Sequence, residues 1–168
     1  MSYTPELSNS DIVYVAGPMT GHVDYNFPAF DEAEQLLKSL YGCSVVNPAQ
    51  VDRAVGVHSI MDGRSQREMT EFFMDLNTAT IKKCTALVLL EGWETSPGAR
   101  HELAMADRLG IKVFAMLTTS TGHRKPVRVT DKTVSIFTEC CRGIPADAIF
   151  RRNIATIIRN RRDVATEG

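Results

Sequence analysis

One short run in this 168-residue chain places an acid close to a helix start suited to meeting a ligand. In Ser96-Pro97-Gly98-Ala99-Arg100-His101-Glu102, Ser96 suits a capping hydroxyl, Pro97 the first helical position and Gly98 a close backbone approach. Glu102 follows about one turn after Gly98, so its carboxylate projects from the face that carries the exposed backbone donors. A carboxylate held there suits chemistry at a sugar's anomeric carbon, where an oxocarbenium-like centre is stabilised by negative charge and can be trapped as an ester. An acid in the first turns of a helix is equally what the helix dipole favours at a surface, and spacing alone leaves both readings standing.

The elements that must position this run alternate between strand and helix. Asp11 to Ala16 is β-branched and apolar, and it breaks at Gly17-Pro18 and again at Gly21, which reads as a first buried strand running into a turn. From Pro28, apolar residues recur at helical spacing through Leu40, and Gly42 stands at the stop. Cys43 to Asn47 reads as a short second strand closed by Pro48. Gln50 to Arg64 shows no sustained period and reads as a mobile connection long enough to act as a lid. A second helix runs from Ser65 to about Lys83, with Met69, Phe72, Phe73, Leu76 and Thr80 on one face and Asp75 near its edge. Ala86 to Leu90 is apolar throughout, as a central parallel strand should be. A third helix from about Gly98 to Leu109 stops at Gly110, and a fourth strand, Ile111 to Leu117, follows.

This alternation predicts an α/β three-layer sandwich of flavodoxin- or Rossmann-like type, with a central parallel sheet of four to five strands. Residues 11–117 form its core within a single domain spanning 1–168, and 118–168 form a C-terminal extension. In that extension Thr118 to Asp131 reads as a polar loop, Thr133 to Phe137 as an edge strand and Pro145 to Arg162 as a final helix. In open sheets of this kind ligands settle beyond the carboxyl ends of the strands, which is where the Ser96 turn lies.

Composition narrows the partners. Charged residues are 23% of the chain and the formal net charge is -1, which gives no electrostatic case for a nucleic-acid polymer or a membrane. The basic cluster Arg151, Arg152, Arg159, Arg161 and Arg162 reads as a solvated helix face. Apolar runs are shorter than a bilayer span, and the first residues lack the order of a signal peptide, so the expectation is a cytoplasmic protein that binds a small molecule. Cys43, Cys84, Cys140 and Cys141 lack metal-ligand spacing, and His22, His58, His101 and His123 are scattered singly, so no metal and no cofactor is expected.

The residues at the strand ends carry a resemblance. Tyr14-Val15-Ala16-Gly17-Pro18, Asn47-Pro48, Asp75 and the Ser96-x-Gly98-x-x-x-Glu102 run together resemble the nucleoside 2-deoxyribosyltransferase superfamily. The AGPMTG, YNFPAF and LLEGWE stretches are similar to its phage and bacterial deoxyribosyltransferase-like branch, over roughly Asp11 to Leu117. The resemblance implies that Glu102 is the nucleophile that attacks C1′ of the (deoxy)ribose. It implies that Asp75 helps protonate or orient the departing base, and that Tyr14 lies near the sugar. The plain alternatives are a strand tyrosine packed under a helix for Tyr14 and a helix-surface carboxylate for Asp75.

Ser96 bears on the substrate. Superfamily members acting on free nucleosides carry an acid six residues before the nucleophile, whereas the nucleoside 5′-monophosphate N-glycosidases resemble this chain in carrying serine. A carboxylate there would repel a phosphate, while a hydroxyl and helix-start amides would bind it. The loop Met19-Thr20-Gly21-His22 lacks the arginine that the monophosphate hydrolases carry nearby. The expected phosphate cradle is Gly17, Thr20, Gly21, Ser96 and Gly98. Trp93 is a candidate to stack on the base, though a tryptophan in a turn is as often packing, and Tyr25, Asn26 and Phe27 are candidates for the base side of the pocket.

These readings lead to N-glycosidic cleavage of a (deoxy)nucleoside 5′-monophosphate, with water or a second base resolving the glycosyl-enzyme. A non-catalytic nucleotide-binding or sensing module and a 2-deoxyribosyltransferase for free nucleosides are the alternatives. The resemblance also implies a homo-oligomer whose pockets are completed by a neighbouring subunit.

Overall fold

A computed structural model describes residues 6–55, 63–118 and 121–129. Among the described residues five strands form one sheet in the order β2-β1-β3-β4-β5. They are β1 (Ile12–Ala16), β2 (Ser44–Val46), β3 (Ala86–Leu89), β4 (Lys112–Thr118) and β5 (Arg124–Arg128). The first four run parallel and β5 is antiparallel to β4. Among the described residues four α-helices cover the sheet: α1 (Phe27–Tyr41), α2 (Pro48–Val55), α3 (Gln66–Ile81) and α4 (Pro97–Leu109). The fold is the expected α/β sandwich of flavodoxin- or Rossmann-like type.

Alternation along each strand sorts the core into two layers. Val13, Val15, Val88 and Phe114 point into a cluster with Phe30, Ala33 and Leu37 of α1. Tyr14, Ala16, Leu87, Leu89 and Val113 point the other way, into a cluster with Ile81 of α3 and Ala99, Leu103 and Ala106 of α4. The register places Tyr14 between Val46 of β2 and Leu87 of β3. After β1 the chain steps out to β2 and returns on the other side as β3, so the order reverses between β1 and β3, the position where ligand crevices form in such sheets.

Local sequence sets the helix ends. Ser65 and Glu68 form a reciprocal capping box at the start of α3, with Ser65 N–H donating to the Glu68 carboxylate at 2.8 Å. Ser96 caps α4 by accepting from Ala99 N–H at 3.2 Å, Pro97 takes the first turn, and Gly110 ends the helix in the left-handed conformation.

Two sequence expectations are corrected. The first part of the stretch read as an aperiodic connection, Gln50 to Arg64, is helical, since α2 runs from Pro48 to Val55, and residues 56–62 of that stretch lie outside the described residues. Asn47 opens this helix, its side-chain oxygen accepting from Ala49 N–H at 3.0 Å, and polar side chains anchor it to α1; at about two turns, with Ala49 buried in the core, it is too short to show a sustained apolar period. Within the stretch read as a polar loop, β5 pairs with β4. It is charged and contains Pro126, which an edge strand tolerates because its outer side needs no ladder hydrogen bond. The edge strand expected at Thr133–Phe137 and the helix at Pro145–Arg162 lie outside the described residues. Among the described residues no helix is long and apolar enough to cross a membrane.

Candidate active site

Glu102 does not sit on the surface of α4. Its helix buries residues 99, 102, 103 and 106, the spacing of one core-facing stripe, and Glu102 is only 7% exposed. The first-turn surface acid that spacing allowed is thereby excluded. Tyr14, the middle residue of β1, reaches across from the sheet and donates its hydroxyl proton to Glu102 Oε1 at 2.8 Å. Asn77 of α3 donates from Nδ2 to the same oxygen at 2.9 Å. Strand, helix and helix thus converge on one carboxylate oxygen, while among the described residues no donor reaches Oε2.

Burial is the main influence on this carboxyl and pushes its pKa up to about 8; the bonds from Tyr14 and Asn77 pull it down, and the charge of Asp52 adds to the rise. Burial and the neighbouring Glu102 push the Tyr14 phenol well above its ordinary value, so the proton stays on the phenol and the bond runs from Tyr14 to Glu102. The site is a desolvated carboxyl with a raised pKa, oriented through one oxygen and, among the described residues, unbonded at the other.

Of the residues expected here, Tyr14 and Glu102 are brought into direct contact. Asp75 is not. It is exposed on α3, and among the described residues no hydrogen bond links it to the cluster. A two-residue offset turns a helix by roughly 160°, so Asp75 and Asn77 occupy nearly opposite faces, and Asn77 is the one that reaches Glu102. The sequence held a signal for this: Phe73, Asn77 and Ile81 recur at intervals of four, and Ile81 is fully buried. Asp52 is a second residue the sequence reading missed, because it lies on α2. It is half-buried, and its charge acts on both Tyr14 and Glu102.

The expected cradle is rearranged. Gly17 meets a packing need: a Cβ there would come within 2.9 Å of Leu90 Cβ, just past the ends of β1 and β3. Thr20 and Gly21 are exposed in a turn closed by His22 N–H donating to Met19 O at 3.2 Å, and Gly21 has φ +83°. Ser96 and Gly98 stand at the start of α4. Ser96 Oγ is used as an acceptor by Ala99 N–H, and Arg100 N–H bonds to Ser96 O at 3.0 Å. Among the described residues nothing accepts from Gly98 N–H, and a Cβ at Gly98 would meet nothing nearer than Ser96 Oγ at 3.9 Å.

The aromatic candidates are engaged elsewhere. Trp93 is 3% exposed and belongs to the core cluster of Tyr14 and Leu103, so it packs beneath the turn and offers no open ring face for stacking. Phe27 packs on the α1 side of the sheet, 5.8 Å from the Tyr25 ring and under the Arg53 guanidinium at 4.8 Å. Asp24, Tyr25 and Asn26 all have positive φ, and Asn26 Nδ2 donates to Pro18 O at 2.9 Å. This turn flanks a cavity of about 330 Å³ lined by His22, Asn26, Leu90, Glu91, Met116 and Arg124. Leu90 and Met116 place that cavity on the α1 face, across the sheet from Glu102.

The chain matches, over residues 11–115, the family described as Domain of unknown function (DUF4406). It belongs to that family. No curated protein matches it. The part of this DUF4406 protein covered by the match runs from the start of β1 into β4 and takes in Tyr14, Asp52, Asn77 and Glu102. The thiols of Cys43 and Cys84 are buried and free, and burial pushes both pKa values up, that of Cys84 to about 11, which suits packing rather than reactivity.

Proposed function

We propose that this DUF4406 protein cleaves the N-glycosidic bond of (deoxy)nucleoside 5′-monophosphates with Glu102 as nucleophile, as a hydrolase or a base-exchange transferase. The observation that carries the reading is the buried Glu102 carboxyl, pinned through Oε1 by Tyr14 and Asn77 with Oε2 left for attack. Burial makes the carboxylate costly in the empty site. Positive charge developing at C1′ offsets that cost in the transition state, so the same carboxylate stabilises bond breaking more than substrate binding. Attack by Oε2 forms a glycosyl ester, and water or a second base then takes the sugar. The resemblance to the nucleoside 2-deoxyribosyltransferase superfamily supports this reading, because Tyr14 and Glu102 hold the two positions it assigns around the sugar.

The start of α4 supports a 5′-phosphate. Ser96 uses its oxygen as a cap and keeps its O–H to donate, Gly98 N–H is open, and the positive helix end favours an anion. With these donors one turn before Glu102, the phosphate lies towards the helix start and C1′ over the carboxylate. The same resemblance leads us to propose a homo-oligomer.

The test is chromatographic detection of free base from a panel of nucleosides and their 5′-monophosphates, with and without an acceptor base. Release from the monophosphates is expected, lost by about 10³-fold or more in Glu102→Gln. Faster release from free nucleosides would overturn the phosphate assignment, and near-normal release by Glu102→Gln would overturn the nucleophile.

A further inference from the structure

Three acids are buried among the described residues: Asp11, Glu34 and Glu102. Two of them have a cation of the protein beside them, Lys112 Nζ at 2.6 Å from Asp11 and Lys38 Nζ at 2.5 Å from Glu34. Glu102 has the neutral donors Tyr14 and Asn77, both on Oε1, and among the described residues no lysine or arginine reaches it. A buried carboxylate is costly unless a positive charge pairs with it. The charge that balances Glu102 is therefore one that a ligand brings.

The supply of protons points the same way. The resemblance assigns protonation of the departing base to an acid on α3, yet the α3 residue that reaches Glu102 is Asn77, whose amide is no acid. Asp75 is exposed, nearly opposite Asn77 round the helix. The Tyr14 hydroxyl proton is already donated to Glu102 Oε1 at 2.8 Å. None of the three is placed to give a proton to a base above C1′.

From these two observations we infer that the site takes nucleotides whose base is itself a cation, such as a purine alkylated at N7, with Asn77 as the residue that sets this specificity. The inference rests on the N-glycosidase reading of Glu102. Glu102 Oε2 bonds to C1′, the C1′–N9 bond breaks, and its electron pair enters the ring and cancels the positive charge, so the base leaves neutral without a proton. Water then bonds to C1′ and loses a proton to solvent, while the ester C–O electron pair returns to Glu102. Before departure the cationic ring and the carboxylate are opposite charges in a desolvated site, so binding favours the ionised nucleophile. Burial and the charge of Asp52, which push Glu102 up in the free protein, are what a cationic ligand offsets. An ordinary purine brings neither the charge nor a way to leave without a proton.

Two measurements on the full chain test this. Dissociation constants for 7-methylguanosine 5′-monophosphate and guanosine 5′-monophosphate are compared in the cold, before turnover, in wild type and in Glu102→Gln, which keeps the shape and loses the charge. Wild type should bind the methylated nucleotide about tenfold or more tightly, and Glu102→Gln should bind the two within about threefold. Base release is then followed from 2′-deoxyguanosine 5′-monophosphate and its N7-methylated form, corrected for spontaneous depurination. Wild-type kcat/KM should favour the methylated form by about 10²-fold or more, and Asn77→Asp, which puts an acid on α3 beside Glu102, should narrow that ratio about tenfold by raising release of the ordinary base. Equal wild-type affinity for the two nucleotides, or an unchanged ratio in Asn77→Asp, would overturn the cationic-base assignment while leaving Glu102 in place. Absence of base release by wild type on every substrate, or normal release by Glu102→Gln, would remove the N-glycosidase reading itself.

Discussion

At the amino end of the sheet Asp11 is 5% exposed, and at the carboxyl end Glu102 is 7% exposed, yet the protein treats these two buried acids in opposite ways. Burial pushes Asp11 up, but Lys112 Nζ at 2.6 and 2.7 Å, the Thr85 hydroxyl at 2.8 Å and Ser8 N–H at 2.8 Å more than reverse it, and its pKa falls below the ordinary value. Glu102 has two neutral donors, both on one oxygen, and a second acid in its field, so burial prevails and its pKa rises to about 8. Asp11 ties together the starts of β1, β3 and β4, where a satisfied ion pair clamps the sheet. Glu102 lies towards the carboxyl end, where its carboxyl is only partly satisfied, the feature on which the proposed nucleophile rests. Comparable burial therefore gives opposite pKa shifts at the two ends, and the difference is in the partners.

The two acids give stability opposite pH slopes. Asp11, depressed in the folded state, contributes fully above the ordinary aspartate pKa and loses that contribution as pH falls through its lower folded value. Glu102, raised in the folded state, favours folding most below the ordinary glutamate pKa, and this advantage is lost as pH rises to about 8. The largest expected effect is that of Glu102→Gln. Beyond its loss of base release it should gain about 1–3 kcal/mol in unfolding free energy at pH 8 and almost nothing at pH 5. Thermal denaturation at the two pH values checks this, and an equal change at both would mean that Glu102 is not a buried acid with a raised pKa.

Next in size, Asp11→Asn should destabilise by about 2–3 kcal/mol at neutral pH, because Lys112 keeps its charge and loses its partner, with base release per folded molecule unchanged. Urea unfolding paired with an activity assay separates these, and a catalytic defect without instability would erase the division between the two ends. Smallest is Asn77→Ala, which removes one of the two donors to Glu102 and should lower base release by about 10-fold, with the acid limb of the pH profile moved to higher pH because that bond lowers the Glu102 pKa. An unmoved profile would mean that Asn77 does not tune the carboxyl.

The sheet was legible because it follows from periodicity, whereas spacing left Glu102 open between a site carboxylate and a surface acid, and only the resemblance pointed to Tyr14. Alternation in β1 sends Tyr14 to the layer opposite Val13 and Val15, and the Ser96-Pro97-Gly98 start fixes the phase of α4. Asn77 was missed because the eye goes to charge, and the charged residue two positions earlier faces solvent. Asp52 was missed with its helix: α2 spans only about two turns, too short for a sustained apolar period, and hydrogen bonds from Gln50 and Arg53 to α1 help to hold it. Trp93 and Gly17 look like ligand residues in sequence because they stand beside the site, whereas one fills the core and the other admits Leu90. Proximity to a site is readable from spacing; the direction of a side chain needs the packed neighbours.

The claim that Glu102 is a nucleophile is tested most directly by catching the sugar on it. The protein is mixed with a 2′-deoxynucleoside 5′-monophosphate that it cleaves, quenched in acid within a turnover, digested and measured by mass spectrometry. The expected result is a deoxyribose phosphate adduct on the peptide that contains Glu102, absent in Glu102→Gln. Base release with no adduct at Glu102, or with the adduct on another residue, would contradict it.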